Sequence, residues 1–267
     1  MENATTSRLT QIVRAIRLLL HITSGLAQSA VYPHLSQSAQ RRMAQNWSAI
    51  LLTILRIRLR HSGVVPVAGM ERVMLAANHV SWLDVYSLNA ACPARFVAKS
   101  EIRSWPLLGW LSRNAGTLFI ERTKRSDTAR INADIGNVLV MGDRVAVFPE
   151  GTTSDGTMLR HFHASLLQPA VTVAAILCPV AIRYTDATGM ISKSAAFADI
   201  SMLESLRRIL RQPWIDVELI FADPIHSSGK NRRELARYAE HAIASALFLP
   251  LPHKTPGRPF DLPAEPR

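Results

Sequence analysis

From Val64 to Leu247 the chain alternates short apolar runs with stretches of helical periodicity, and this alternation restricts the fold more than any other feature. Apolar runs at 64–68, 73–77, 94–98, 117–121, 145–148, 176–184 and 214–222 read as strands. Helical spacing covers 82–91, 106–114, 126–141, 163–174, 199–211 and 230–248. Gly142 supplies a helix stop ahead of the buried strand that ends at Phe148. The pattern predicts an α/β fold built on a mostly parallel sheet flanked by helices.

The stretch before it has a different character. Leu9, Ile12, Val13, Ile16, Leu19 and Leu20 follow helical spacing, with Arg8, Arg14 and Arg17 between them. Those arginines interrupt the run that a signal peptide or a spanning helix needs. After Pro33 a second helix is predicted over 40–59, with Met43, Trp47, Ile50, Leu51, Ile54 and Ile57 as its apolar stripe and five arginines beside it. Residues 1–60 thus read as an N-terminal amphipathic helical membrane-binding segment. The competing reading packs these helices on the protein's own core. Residues 61–249 form the α/β domain, and 250–267 a proline-rich flexible tail.

The formal net charge of +11 calls for an anionic partner. Aromatic residues make up only 6% and no nucleic-acid-binding signature occurs, so an anionic membrane surface fits better than DNA or RNA. Two cysteines, Cys92 and Cys178, both in apolar surroundings, exclude a disulfide framework and a cysteine-rich metal site. No P-loop, GxGxxG, HExxH or GxSxG pattern is present, and no metal site is expected.

The chemistry gathers at Asn78-His79-Val80-Ser81-Trp82-Leu83-Asp84, where an apolar strand runs into a helix start. A histidine leaving a strand, with a carboxylate one helical turn away, can act as a base oriented by an acid. Ser81-x-x-Asp84 also nearly matches a capping box, in which Asp84 would only steady the helix. Downstream stand Gly116-Thr117-Leu118-Phe119-Ile120-Glu121-Arg122, then Phe148-Pro149-Glu150-Gly151-Thr152, then Cys178-Pro179-Val180-Ala181-Ile182. By residues alone, Arg122 could be a surface pair with Glu121 or Asp127, and 148–152 an ordinary turn.

In order and separation these four blocks resemble those of the glycerolipid acyltransferase family, which includes bacterial 1-acylglycerol-3-phosphate acyltransferases and lyso-ornithine lipid acyltransferases. The likeness runs from about Val65 to Leu247. It implies an O-acyltransferase moving a fatty acyl group from acyl-CoA or acyl carrier protein to a lysolipid hydroxyl, 1-acylglycerol 3-phosphate being the first expectation and lyso-ornithine lipid the alternative. A non-catalytic membrane-binding protein of the same fold is the reading from another class. The resemblance assigns His79 as base and Asp84 as its orienting acid, and Arg122 to an acceptor phosphate. Glu150, Gly151 and Thr152 are assigned to acceptor binding. A thioester donor is already activated, so no cofactor is expected. The expected location is the cytoplasmic face of the inner membrane. The chain departs from the pattern at Phe162-His163, where many relatives carry phenylalanine-lysine, which puts a glycerol phosphate head group in doubt. Arg160 and His161 stand close enough in sequence to compensate.

Overall fold

The computed structural model describes residues 5–67, 69–104, 108–120 and 125–252. The elements run α1 (Arg8–Val31), α2 (Gln37–Ile54), β1 (Ile57–Gly63), β2 (Val73–Ala77), α3 (Leu83–Ala91), β3 (Arg95–Lys99), α4 (Leu108–Asn114) and β4 (Leu118–Ile120). They continue with α5 (Arg125–Val140), β5 (Val145–Val147), α6 (Gln168–Thr172), β6 (Ile176–Thr185), α7 (Met202–Arg211), β7 (Ile215–Phe221), β8 (Ile225–His226) and α8 (Arg232–Leu247). The strands form one sheet in the order β1-β7-β6-β2-β5-β3-β4, with β8 paired to β6. Its pairings are parallel except β6 with β7 and β6 with β8.

β2 lies at the centre, between β6 and β5, and each of its five residues is buried. Its alternation sorts the core into two layers, because successive side chains leave a strand on opposite faces. Val73, Leu75 and Ala77 pack with Leu51, Leu52 and Leu55 at the end of α2, with Leu83 and Leu88 of α3 and with Ile209 of α7. Met74 and Ala76 pack with Ile131, Ile135 and Leu139 of α5 and with Leu235, Ala239 and Ile243 of α8. The result is a three-layer α/β/α domain whose central strand is covered on both faces, as a parallel sheet requires.

The N-terminal region differs from the sequence expectation in a defined way. The second helix stops at Ile54, not 59, and Ile57–Gly63 forms edge strand β1. The strand expected at 64–68 therefore begins seven residues earlier and ends five earlier. Arg56 adopts a left-handed conformation (φ 57°) that turns the chain from helix into strand. At the other end, a Cβ on Gly63 would lie 1.9 Å from Phe221 O, so glycine lets β1 close on β7 there. The expected boundary at 60/61 falls inside β1.

The two N-terminal helices also bury opposite kinds of surface. On α2 most of the apolar stripe faces inward, with Ile50 left exposed, and Trp47 stacks on His21 at 4.5 Å and leans on Tyr86 at 5.6 Å. On α1 the apolar residues face out: Leu9, Ile12, Val13, Ile16, Leu19 and Leu20 are between 46% and 72% exposed. Its buried face carries Arg14, Leu18, His21, Gly25 and Ser29. Arg14 does not interrupt an outer apolar face; it sits under the helix at 4% exposure. There Nη1 donates to Leu210 O (2.8 Å) and Gln212 O (2.9 Å), and Nη2 to Leu55 O (2.5 Å). One guanidinium thereby ties α1 to the C-terminal ends of both α2 and α7, where carbonyls lack helical partners and cations are favoured. Among the described residues no helix is long and apolar enough to cross a membrane.

Candidate active site

The site is built at the C-terminal ends of the parallel strands β2 and β5, the edge where α/β sheets gather ligands. Asn78 leaves β2 and clamps onto β6: its Nδ2 donates to Ile182 O (3.0 Å) and its Oδ1 accepts Ile182 N–H (2.7 Å). This two-way amide bond fixes the chain one residue before His79. The imidazole then stacks on Phe148, at the end of β5, with centroids 4.0 Å apart and planes 12° from parallel.

Nδ1 of His79 lies 2.7 Å from Asp84 Oδ2. The same oxygen accepts the N–H groups of Val80 (2.8 Å) and Ser81 (2.9 Å). The contacts that the capping reading needs and the contact that the histidine-orienting reading needs thus converge on one oxygen of Asp84. Ser81 completes only part of a capping box, since its hydroxyl accepts Leu83 N–H at 3.3 Å. Asp84 is fully buried, whereas the His79 side chain is 21% exposed. A carboxylate can only accept here, so Nδ1 carries the hydrogen and Nε2 keeps the lone pair a base needs.

Glu150 turns away from solvent at 4% exposure. Its Oε1 accepts His79 N–H (2.8 Å) and its Oε2 accepts Arg160 N–H (3.0 Å). Burial pushes its pKa up to about 7, against the opposing pull of these two hydrogen bonds. Glu150 thus ties the His79 backbone to the following loop. Gly151 takes a positive φ (76°), and its N–H donates to Phe148 O at 3.0 Å, closing the turn. Thr152 is exposed on that turn. Arg122 lies outside the described residues, as do Glu121 and most of the proline-rich tail. His79, Asp84 and Glu150 are brought into one connected network, with Gly151 and Thr152 on the adjoining turn.

Two participants, Tyr184 and Glu240, carried no signal at motif spacing. Tyr184 donates to Asp84 Oδ1 at 2.8 Å from a hundred residues away. Glu240 of α8 is buried, takes the Phe162 N–H and lies 2.9 Å from His161 Nδ1, a second histidine–carboxylate pair joined only by folding. His163 is exposed and its N–H donates to Pro149 O at 2.9 Å, so the 160–163 segment runs beside the Glu150 turn. Beyond Phe148, Phe96 lies 6.1 Å away and borders an apolar cavity of about 190 Å³ between α1, α2 and α3, lined by Gly25, Tyr32, Trp47, Val85 and Tyr86. Among the described residues no group of three or more histidine, cysteine, aspartate or glutamate side chains is placed to hold a metal ion.

A strand-end histidine held by a buried aspartate, on a mostly parallel α/β sheet, is an arrangement able to take a proton from a group placed at the sheet edge. Residues 56–183 match the acyltransferase family, and the chain belongs to it. It is 37% identical to a lyso-ornithine lipid O-acyltransferase of Pseudomonas aeruginosa, over 91% of this chain and 95% of that one. It is 42% identical to a 1-acyl-sn-glycerol-3-phosphate acyltransferase of Neisseria gonorrhoeae, over 56% of this chain and 58% of that one. The crystal structure of a 1-acyl-sn-glycerophosphate acyltransferase from Thermotoga maritima shares the fold, with a TM-score of 0.63 at 21% identity, covering 88% of this chain and 96% of that one.

Proposed function

We propose that this acyltransferase moves a fatty acyl group from acyl-CoA or acyl carrier protein to the hydroxyl of a lysolipid at a membrane surface. The observation that carries the reading is the His79–Asp84 pair, with Nδ1 committed to the carboxylate and Nε2 left to accept a proton. Nε2 takes the proton of the acceptor hydroxyl as its oxygen attacks the thioester carbonyl. The imidazolium is steadied by Asp84 while the tetrahedral intermediate exists. Collapse expels the thiol, which leaves with the proton held on His79, so the base is restored. The thioester is already activated, and the reading assigns no cofactor to the step. The acyl chain is assigned to the cavity beside Phe96, two aromatic rings from His79.

Two acceptors follow. With 1-acylglycerol 3-phosphate, Arg122 grips the phosphate and the Glu150–Thr152 turn holds the glycerol end, Glu150 acting by fixing the turn and Thr152 through its hydroxyl. The second acceptor, lyso-ornithine lipid, is supported by the near full-length match to relatives so named in Pseudomonas aeruginosa and Brucella abortus. The histidine at 163, in place of lysine, points the same way. The exposed apolar face of α1 supports docking on a bilayer, where either acceptor resides; the net charge of +11 favours an anionic leaflet, which we place on the cytoplasmic side of the inner membrane. Purified protein, one acyl thioester and a panel of lysophosphatidate, glycerol 3-phosphate and lyso-ornithine lipid, read by thiol release, tests the proposal. Release driven by one lysolipid identifies the acceptor, and release with none of them refutes the transfer.

A further inference from the structure

We propose that Tyr184 is a positioning residue of the catalytic pair, holding the Asp84 carboxylate so that the His79 ring keeps a single orientation; the inference rests on His79 being the base. Three donors converge on Asp84 Oδ2, from His79, Val80 and Ser81. The other oxygen, Oδ1, receives the Tyr184 hydroxyl at 2.8 Å. A carboxylate fixed through Oδ2 alone can rock about its Cβ–Cγ bond, and any such movement is passed to the imidazole. A donor on Oδ1 stops it. The phenol is itself fixed. Tyr184 is 2% exposed on β6, and two residues earlier Ile182 is clamped from both sides by the Asn78 amide. The strand end that carries His79 and the strand that carries Tyr184 are therefore locked in register. Ser87, one turn after Asp84 on α3, lies 3.4 Å from the phenol oxygen and serves the lone pairs that the bond to Asp84 leaves over. Burial first, and the Asp84 charge second, hold the phenol pKa well above 10, so it remains a donor wherever the enzyme works.

A purely structural tyrosine predicts another outcome. A buried phenol needs some acceptor, and in that role Asp84 is interchangeable with any other. The two roles separate in kinetics. Tyr184→Phe keeps the ring and deletes only the O–H. In the positioning role kcat falls about tenfold, the loss of one hydrogen bond to a charged group, while KM for donor and acceptor stays within about twofold. The acid limb of the kcat/KM profile moves to higher pH, because without a donor on Oδ1 the carboxylate holds the imidazolium proton more tightly. An NMR titration of the His79 ring in the full-length protein follows the same shift without turnover. Should Tyr184→Phe fail to fold, 3-fluorotyrosine placed at 184 keeps the hydroxyl as a stronger donor and moves the limb to lower pH. An unchanged kcat and limb, with a lowered melting temperature alone, overturns the inference and leaves Tyr184 as packing. Full activity in His79→Ala would instead remove the reading beneath it, whatever Tyr184→Phe does.

Discussion

The Glu150 carboxylate holds the backbone of His79: its Oε1 accepts the histidine N–H at 2.8 Å, while Oε2 takes Arg160 N–H at 3.0 Å. Glutamine at this position has one acceptor and one donor, so its amide nitrogen must face one of those two N–H groups. Glu150→Gln is therefore expected to lower kcat and to loosen the 150–160 loop.

Glu150 also gives the protein a pH signature. Its pKa rises from 4.5 to about 7 on burial, so the folded state favours the neutral acid. The contribution is fully present below pH 4.5 and is lost as pH climbs through about 7, where the charged form must be kept in a dry site. The loss is at most on the order of 3 kcal/mol. Denaturation in urea at pH 5 and pH 8 should show wild type losing more stability over that interval than Glu150→Gln. Parallel pH dependences in the two proteins would contradict this assignment.

His79→Ala should cost roughly 10²–10⁴-fold in transfer and leave the melting temperature close to wild type, since the ring is partly exposed. Asp84 gives a sharper contrast. In Asp84→Asn the amide oxygen can replace Oδ2 and keep three donors satisfied, while Tyr184 turns to accept from the amide nitrogen and donates to Ser87. The fold should tolerate this, and activity should not, because the imidazolium loses its counter-charge. Asp84→Ala strands the buried Val80 and Ser81 N–H groups and the Tyr184 hydroxyl, and should cost roughly 3 kcal/mol or more of stability. Equal stability losses in the two variants would show that capping, not charge, is what Asp84 supplies.

The contrast marks what the sequence could and could not reveal. The α/β alternation was legible because apolar runs such as 73–77 are buried on both faces of the sheet and leave a continuous signal. His79 and Asp84 were legible because a helix start brings residues five apart together. Tyr184 and Glu240 were not, since each meets its partner only after strands or helices distant in sequence come side by side. A period-two count along β6 places Tyr184 on the face of Val180 and Ile182, but nothing local says that Asp84 waits there. The N-terminal helices were ambiguous for a related reason: an amphipathic stripe shows that one face differs from the other, without saying which is covered. On α2 the protein itself covers most of the apolar face, Ile50 excepted; on α1 it covers the polar one.

Arg14 explains how the polar face of α1 can be buried. Its guanidinium supplies donors to Leu55, Leu210 and Gln212, carbonyls at or beyond two helix ends. Arg14→Ala removes the cation and leaves those carbonyls to a dry space, at an expected cost of roughly 3–5 kcal/mol. Because the contacts join α1 to α2 and α7, limited proteolysis within α1 should accelerate before global unfolding does. Lysine cannot span the three carbonyls with one ammonium, so Arg14→Lys should recover only part of the loss. Full recovery would reduce Arg14 to a point charge at a helix end.

The outward face of α1 carries the last prediction. Leu9, Ile12, Val13, Ile16, Leu19 and Leu20 form one exposed stripe, and bilayer insertion would remove each side chain from water at a gain of about 1.5–3 kcal/mol when complete. Electrostatic attraction to anionic lipid adds to this and is screened over about 10 Å at 0.1 M salt, whereas burial of the stripe is not. High salt should therefore release the protein only partly from anionic vesicles, and detergent should release it fully. Removing residues 1–60 is a poor probe, because it deletes part of β1 and the buried Leu51, Leu52 and Leu55. Ile16→Asp with Leu20→Asp is the better one, since both side chains are more than half exposed and their loss leaves the core intact. The double variant should keep its melting temperature in detergent, lose vesicle binding, and retain activity on a short-chain soluble acceptor while losing most of it on a vesicle-borne one. Unchanged vesicle binding would move the membrane contact off α1, and clean release of wild type by salt alone would leave electrostatics as its only basis.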